Sequence, residues 1–210
     1  STIREQGTEF HKDVNVGETY IRDTKNKKNE LIIGNKYSKA EGEKASSLGH
    51  YNGVYGENST GVGSTNVVNG ANSSALGYKN TIIGGKDSTA IGSQNKVNGE
   101  GSTALGKGND IEGKDSTAIG NENTVKGENS TAVGKGNNVD GNNSTALGSE
   151  NKVKGENSNA LGKGNNIEKK DSTALGNENK LKEEGTTALG KKNTLTGKNS
   201  TAVGQENKVT

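Results

Sequence analysis

Along residues 144–157, STALGSENKVKGEN, apolar side chains fall in two different patterns. Ala146 and Leu147 are adjacent, whereas Val153 stands alone between Lys152 and Lys154. Successive side chains of an extended strand point to opposite faces. The second segment therefore reads as a strand with one buried face, Asn151 and Val153 inward and both lysines in water. The first carries something apolar on each side, Ala146 on one face and Thr145 with Leu147 on the other. Gly148 and Gly155 mark turns. One unit predicts two short strands and two tight turns.

The unit repeats. From Gly92 the pattern (Ser/Thr)-(Thr/Asn)-Ala-(Leu/Ile/Val)-Gly returns every 14 residues, closing at Gly106, Gly120, Gly134, Gly148, Gly162, Gly176, Gly190 and Gly204. Three residues after each Gly comes an Asn, and two beyond each Asn an aliphatic residue. The same unit is recognisable at Gly49, Gly63 and Gly77, with one extra residue between Gly34 and Gly49 and another between Gly77 and Gly92. A register held this long marks a repeat architecture rather than low complexity. Fourteen residues rich in Gly, Asn and Thr are too few, and too poor as helix formers, for a helical pair. The expected fold is all-β: a parallel β-roll, a solenoid of 14-residue coils with two short strands in each. Strands about 4.8 Å apart give about a dozen coils a length of roughly 55–60 Å.

Stacking brings residues 14 apart into contact, and the charges agree with it. Glu112, Lys126, Asp140, Lys154, Glu168 and Lys182 follow the core aliphatic residue in successive units and alternate in sign. Opposite neighbours of this kind contribute about 0.2–1 kcal/mol each, and like charges repel. The same 28-residue super-period shows in the turns, where Lys135-Gly136 alternates with Ser149-Glu150. The Asn column, Asn95, Asn109, Asn123, Asn137, Asn151, Asn165, Asn179, Asn193 and Asn207, reads as a side-chain amide ladder. A calcium site in its place lacks carboxylates at fixed spacing. The second apolar face of the long strand would form a continuous Thr/Leu or Ser/Ala stripe, more than a soluble monomer leaves exposed. Since every coil repeats it, parallel copies of the chain sharing an axis are expected to cover it. The sequence leaves open which face lines the coil.

Composition narrows the chemistry. Hydrophobic residues make up 25% of the 210, with one Phe and no Trp, Met or Cys. The lack of Cys removes disulfides and thiolate chemistry. A net charge of +2 offers no electrostatic case for nucleic acid. The two histidines, His11 and His50, show no metal-type pairing. The repeated strand serines have no neighbouring base, the carboxylates are evenly spread, and Gly134-Lys-Gly136 lacks the helix that phosphate cradling needs. No enzyme activity, cofactor or metal is expected.

At Asn143-Ser-Thr-Ala-Leu-Gly148 followed by Asn151-x-Val-x-Gly155, the sequence resembles the repeat of YadA-type heads of trimeric autotransporter adhesins. Asn151 stands where the second half usually has a small residue. The resemblance covers roughly residues 30–210. It implies a left-handed roll, a homotrimer around one axis, and display on a Gram-negative outer membrane by a C-terminal barrel anchor. Without that anchor, a heptad stalk or a signal-peptide h-region, the chain is expected to be an excised head, reaching the membrane only through an anchor outside it. Its Lys/Asn-rich, Arg-poor style is similar to fusobacterial heads that engage carcinoembryonic-antigen-related cell adhesion molecules (CEACAMs). That implies a host cell-surface glycoprotein with immunoglobulin-type domains as partner.

Three segments follow. Residues 1–29, with Phe10, Tyr20 and the run Lys25-Asn-Lys-Lys28, read as an N-terminal irregular segment or cap. Residues 30–87 read as irregular coils and 88–210 as the regular 14-residue repeat. Every aromatic lies before residue 79, with both histidines and both arginines, Arg4 and Arg22. Tyr and Arg are enriched at binding hot spots. The candidate receptor contacts are Tyr37, His50, Tyr51, Tyr55, Val67 and Tyr78, with Tyr51, Tyr55 and Val67 expected as one neighbouring exposed patch. Two other readings stay open: capping or gap-filling by the same aromatics, since terminal repeats are atypical, and a spacer or surface-display rod without a receptor site. An ice-binding solenoid would need the Thr column (Thr103, Thr117, Thr131, Thr145) on a flat exposed face.

Overall fold

Within one coil the chain runs along a five-residue strand, Thr145–Ser149, turns, and returns along a two-residue strand, Lys152–Val153. Each corner is made by one residue in the left-handed region, Glu150 at φ 59° and Asn157 at φ 53°. Asn, Asp and Gly tolerate that conformation best. The second corner accordingly carries Asn58, Asn72, Asp87, Gly101, Asp115 and Asn129 in successive coils. The computed structural model describes residues 14–16, 19–23 and 30–210, with the side chains of 19–21 and 30–210. Among the described residues there is no helix.

The long strands form one sheet and the short strands another, each strand pairing in parallel with its counterpart one coil away, as in Ala146↔Ala160 and Val153↔Ile167. The result is a parallel β-solenoid of about 13 turns, the all-β roll that the repeat predicts. Its two irregularities sit in turns. Gly34 pairs with Gly49 while Lys39 pairs with Gly53, so the first extra residue lies in the corner at Asn35–Tyr37. Ile82 pairs with Val97, which places the second in the turn after Ile82, where Gly84 has φ 77°. At the N-terminal edge, β1 (Val14–Val16) and β2 (Thr19–Asp23) form an antiparallel hairpin that pairs antiparallel with β3 (Leu31–Gly34). Arg4, Phe10, His11 and Lys25–Lys28 lie outside the described residues.

The face that lines the coil is the alanine face. Ala146, Ala160 and their equivalents are buried, opposite the buried Val153 and Ile167 column of the short strands. The short-strand aliphatics fill the narrow lumen, so the opposite wall has room for a methyl group. In the first described coil the sizes are exchanged, with Ile32 on the long strand and Ala40 on the short one. Where Val54 reaches across, the long strand carries Gly61, and a Cβ there would lie 2.8 Å from Val54 Cγ2.

Polar ladders close both ends of this thin lumen. Asn151 Nδ2 donates to Asn137 Oδ1 (3.1 Å), to the Leu147 carbonyl (3.1 Å) and to the Gly162 carbonyl (2.9 Å). Its Oδ1 accepts from the backbone N–H and Nδ2 of Asn165, both at 3.0 Å. At the other end Ser144 Oγ donates to the Gly155 carbonyl at 2.9 Å and accepts from the Ser158 N–H at 3.0 Å. Buried polar groups are tolerable only when bonded in this way. The Asn chain runs unbroken from Asn52 to Asn207, beginning three coils before Asn95.

Candidate functional site

Two faces of the rod are candidates for contact. The outer face of the long-strand sheet carries Thr145 and Leu147 and their equivalents. Thirteen aliphatic rungs run from Ile33 to Val203 in parallel register. Leu105 is 42% and Leu147 39% exposed, and nothing else in the described chain covers this stripe.

The outer face of the short-strand sheet is charged along the regular coils. Its two columns run through Lys96, Asp110 and Lys152, and through Glu112, Lys126, Asp140 and Lys154. The second column keeps its alternation of sign, yet among the described residues no ion pair joins its neighbours. In the first, Lys96 and Asp110 are 3.6 Å apart. Between Lys39–Glu41 and Lys96 the face changes: its outward positions are Gly53, Tyr55, Val67, Asn69, Thr81 and Ile83, none of them charged. The Tyr55 ring folds back over Gly53, where a Cβ would meet its Cε2 at 2.8 Å. Tyr55 is 41% and Ile83 48% exposed. A side chain at position 53 would lift the ring off the sheet.

The six candidate contacts fall in three places. Tyr55 and Val67 share the uncharged window. Tyr51, at φ 59°, stands at the corner, stacked on Tyr37 with centroids 5.3 Å apart and planes 9° from parallel. Asn35 organises that corner: its Oδ1 accepts from Ser38 Oγ (3.1 Å) and from the N–H groups of Tyr37 (3.2 Å) and Tyr51 (3.3 Å). The Lys36 ammonium lies 4.9 Å from the Tyr37 ring centre, a cation–π distance. Tyr20 joins these residues around a cavity of about 310 Å³. His50 and Tyr78 close their long strands in the column beside the apolar stripe, in parallel register through Ser64.

The sequence reading missed Ile83, which the alternation after Ile82 points outward, and Asn35, whose role follows from the inserted residue beside it. Asn52, Asn66 and Asn80 were legible as further members of the Asn column, each two residues before an aliphatic. Among titrating groups, Lys198, hydrogen-bonded at 3.1 Å and positively charged, holds the Glu184 carboxyl below its ordinary value of 4.5, and the Lys198 ammonium is raised in turn. Among the described residues no cluster of three or more His, Cys, Asp or Glu could hold a metal.

A rod whose features are an uncovered apolar seam and an uncharged aromatic window on a charged flank is a structural or adhesive protein. The chain matches the YadA head domain repeat (2 copies) over residues 55–80, 84–109, 112–137, 140–165 and 196–210, more than half its length, and it belongs to that family. Membership implies a homotrimeric, host-binding head from the surface-exposed trimeric autotransporter adhesins of Gram-negative bacteria. No curated protein matches the chain.

Proposed function

We propose that the chain is a receptor-binding head, held at the bacterial surface by an anchor outside it, and that its irregular coils, residues 30–87, hold a host cell-surface glycoprotein. The regular coils, 88–210, act as the rod that carries them outward, and the hairpin of β1 and β2 covers the edge of β3 at the N-terminal end. The observation that supports this is the window of Tyr55, Val67 and Ile83 between charged coils. Interfaces have cores depleted of charge and enriched in Tyr, with polar rims. The Tyr37–Tyr51 stack extends the contact around the corner. His50 and Tyr78 lie beside the seam, so a receptor reaches them only in the groove between two chains. The chain's similarity in style to the fusobacterial adhesin CbpF favours a CEACAM immunoglobulin-type domain, whose flat sheet face suits a flat window.

The test is Tyr51→Ala with Tyr55→Ala, measured by surface plasmon resonance against CEACAM ectodomains. Removing hot-spot tyrosines costs about 2 kcal/mol or more, a loss of roughly 30-fold. Light scattering should show the assembly unchanged. Unaltered affinity in the double variant removes this site, and no binding by the natural head removes CEACAMs as the partner.

A further inference from the structure

Thirteen nearly identical apolar rungs hold copies of the chain side by side without setting their height. A slip of one coil, about 4.8 Å, unpairs one rung and leaves the others in contact. The charges on either side of the stripe have the pattern to prevent it. Two residues beyond the stripe's aliphatic, on the same face, stand Lys107, Lys135, Lys163 and Lys191, in alternate coils. In the coils between, that position is uncharged and the next residue, in the left-handed corner, is Glu122, Glu150, Glu178 or Glu206.

The turn on the other side of the stripe alternates in the opposite phase. Glu100, Glu128, Glu156 and Glu184 occupy the lysine coils; the glutamate coils carry Lys114 and Lys170, each followed by an aspartate (Asp115 and Asp171, the latter 3.9 Å from Lys170), the uncharged Asn142, and Lys198. Alternation down one column has a reason within the chain, since it sets opposite charges on neighbouring coils: Lys163 lies 3.7 Å from Glu150, and Lys198 3.1 Å from Glu184. The antiphase between two columns on opposite sides of the stripe has none.

In a ring of parallel identical chains every interface is heterologous, so one flank of each chain meets the opposite flank of the next. We propose that these flanks form an inter-chain charge zipper that fixes axial register: Lys107, Lys135, Lys163 and Lys191 of one copy pair with Glu100, Glu128, Glu156 and Glu184 at the same height in the next. Glu122 and Glu178 meet Lys114 and Lys170 in the coils between. A one-coil slip sets Lys107 against Lys114 and Glu122 against Glu128. A two-coil slip restores the signs but unpairs two rungs and misaligns the irregular coils. The zipper deepens the adhesin reading and rests on its assembly of three parallel chains.

The experiment mixes chains of natural and heavy isotope content, confirms three-chain particles by light scattering, and joins amines to carboxylates with a zero-length carbodiimide. Peptides carrying one light and one heavy half should join Lys135 to Glu128 and Lys163 to Glu156. A trimer without those mixed joins overturns the zipper and leaves the adhesin reading standing. A monomeric chain removes both. A second arm inverts the first flank alone: Lys107, Lys135, Lys163 and Lys191→Glu with Glu122, Glu150, Glu178 and Glu206→Lys, which keeps alternation within the chain. The concentration for half-assembly should rise at least about tenfold, since each surface pair is weak but many change together. Inverting the second flank as well, with Glu100, Glu128, Glu156 and Glu184→Lys and Lys114, Asn142, Lys170 and Lys198→Glu, should restore assembly. Unchanged assembly of the single-flank variant overturns the zipper.

Discussion

Gly148 has φ 115°, and a Cβ built on it would overlap the carbonyl of Gly162 in the next coil. Gly136 has φ 65° with no atom within 4 Å of its missing Cβ. The two glycines therefore serve different ends, one permitting coils to stack and the other relieving a corner. Gly136→Ala should cost only the left-handed penalty, about 1–2 kcal/mol. Gly148→Ala adds a backbone overlap that the next coil cannot evade and should cost at least about 3 kcal/mol. Thermal or urea unfolding measures both, and equal losses would show that stacking at Gly148 is looser than its geometry states. This column explains how few apolar side chains suffice. With backbones in contact at one corner, each coil needs only Ala, one branched aliphatic and the Asn and Ser ladders to fill its lumen.

At the scale of the coil, nearest-neighbour contacts set the melting midpoint, so loss of one or two like coils should shift it little. Charge phase then decides between deletions. Removing residues 121–134 stacks Lys107 on Lys135 and Glu112 on Asp140, each a like-charge contact costing roughly 0.2–1 kcal/mol. Removing 121–148 takes two coils, sets uncharged Ser149 on Lys107 with Glu150 beside it, and restores Glu112 over Lys154. The longer deletion should therefore melt at the higher temperature by circular dichroism, and the reverse order would show that the 28-residue period is without energetic weight. The coil itself was legible in sequence because period, corner glycines and the lone Val153 all constrain the same ribbon. The inward face of the long strand was not, because Ala146 and Leu147 are both apolar and only the width left by Val153 decides between them. The binding candidates were legible as residue types, whereas the poses of their rings were not. The inserted residue at Asn35–Tyr37 draws Tyr37 onto Tyr51 at the corner, while Gly53 lets the Tyr55 ring lie down on the outer face of the short strand.

For the whole molecule, the stripe is the feature a lone chain cannot satisfy. From Leu76 onward each Leu or Ile rung keeps roughly two-fifths of its surface in water, as Leu105 and Leu175 do at 42% and 44%. Covering that remainder contributes about 1 kcal/mol per rung, and thirteen rungs act together in every chain. A lysine cannot be placed at a shared axis without leaving an unpaired charge among apolar neighbours, whereas on a single exposed rod it would be harmless. Leu147→Lys with Leu175→Lys therefore separates the two situations. The double variant should lose the trimer by light scattering while its isolated coils keep the strand signature at low temperature. It should also melt well below the natural chain, because an uncovered stripe leaves each coil with only its thin lumen. If the variant instead stays trimeric with an unchanged midpoint, the chains meet along another face, and both flanks of the stripe lose their inter-chain role with it.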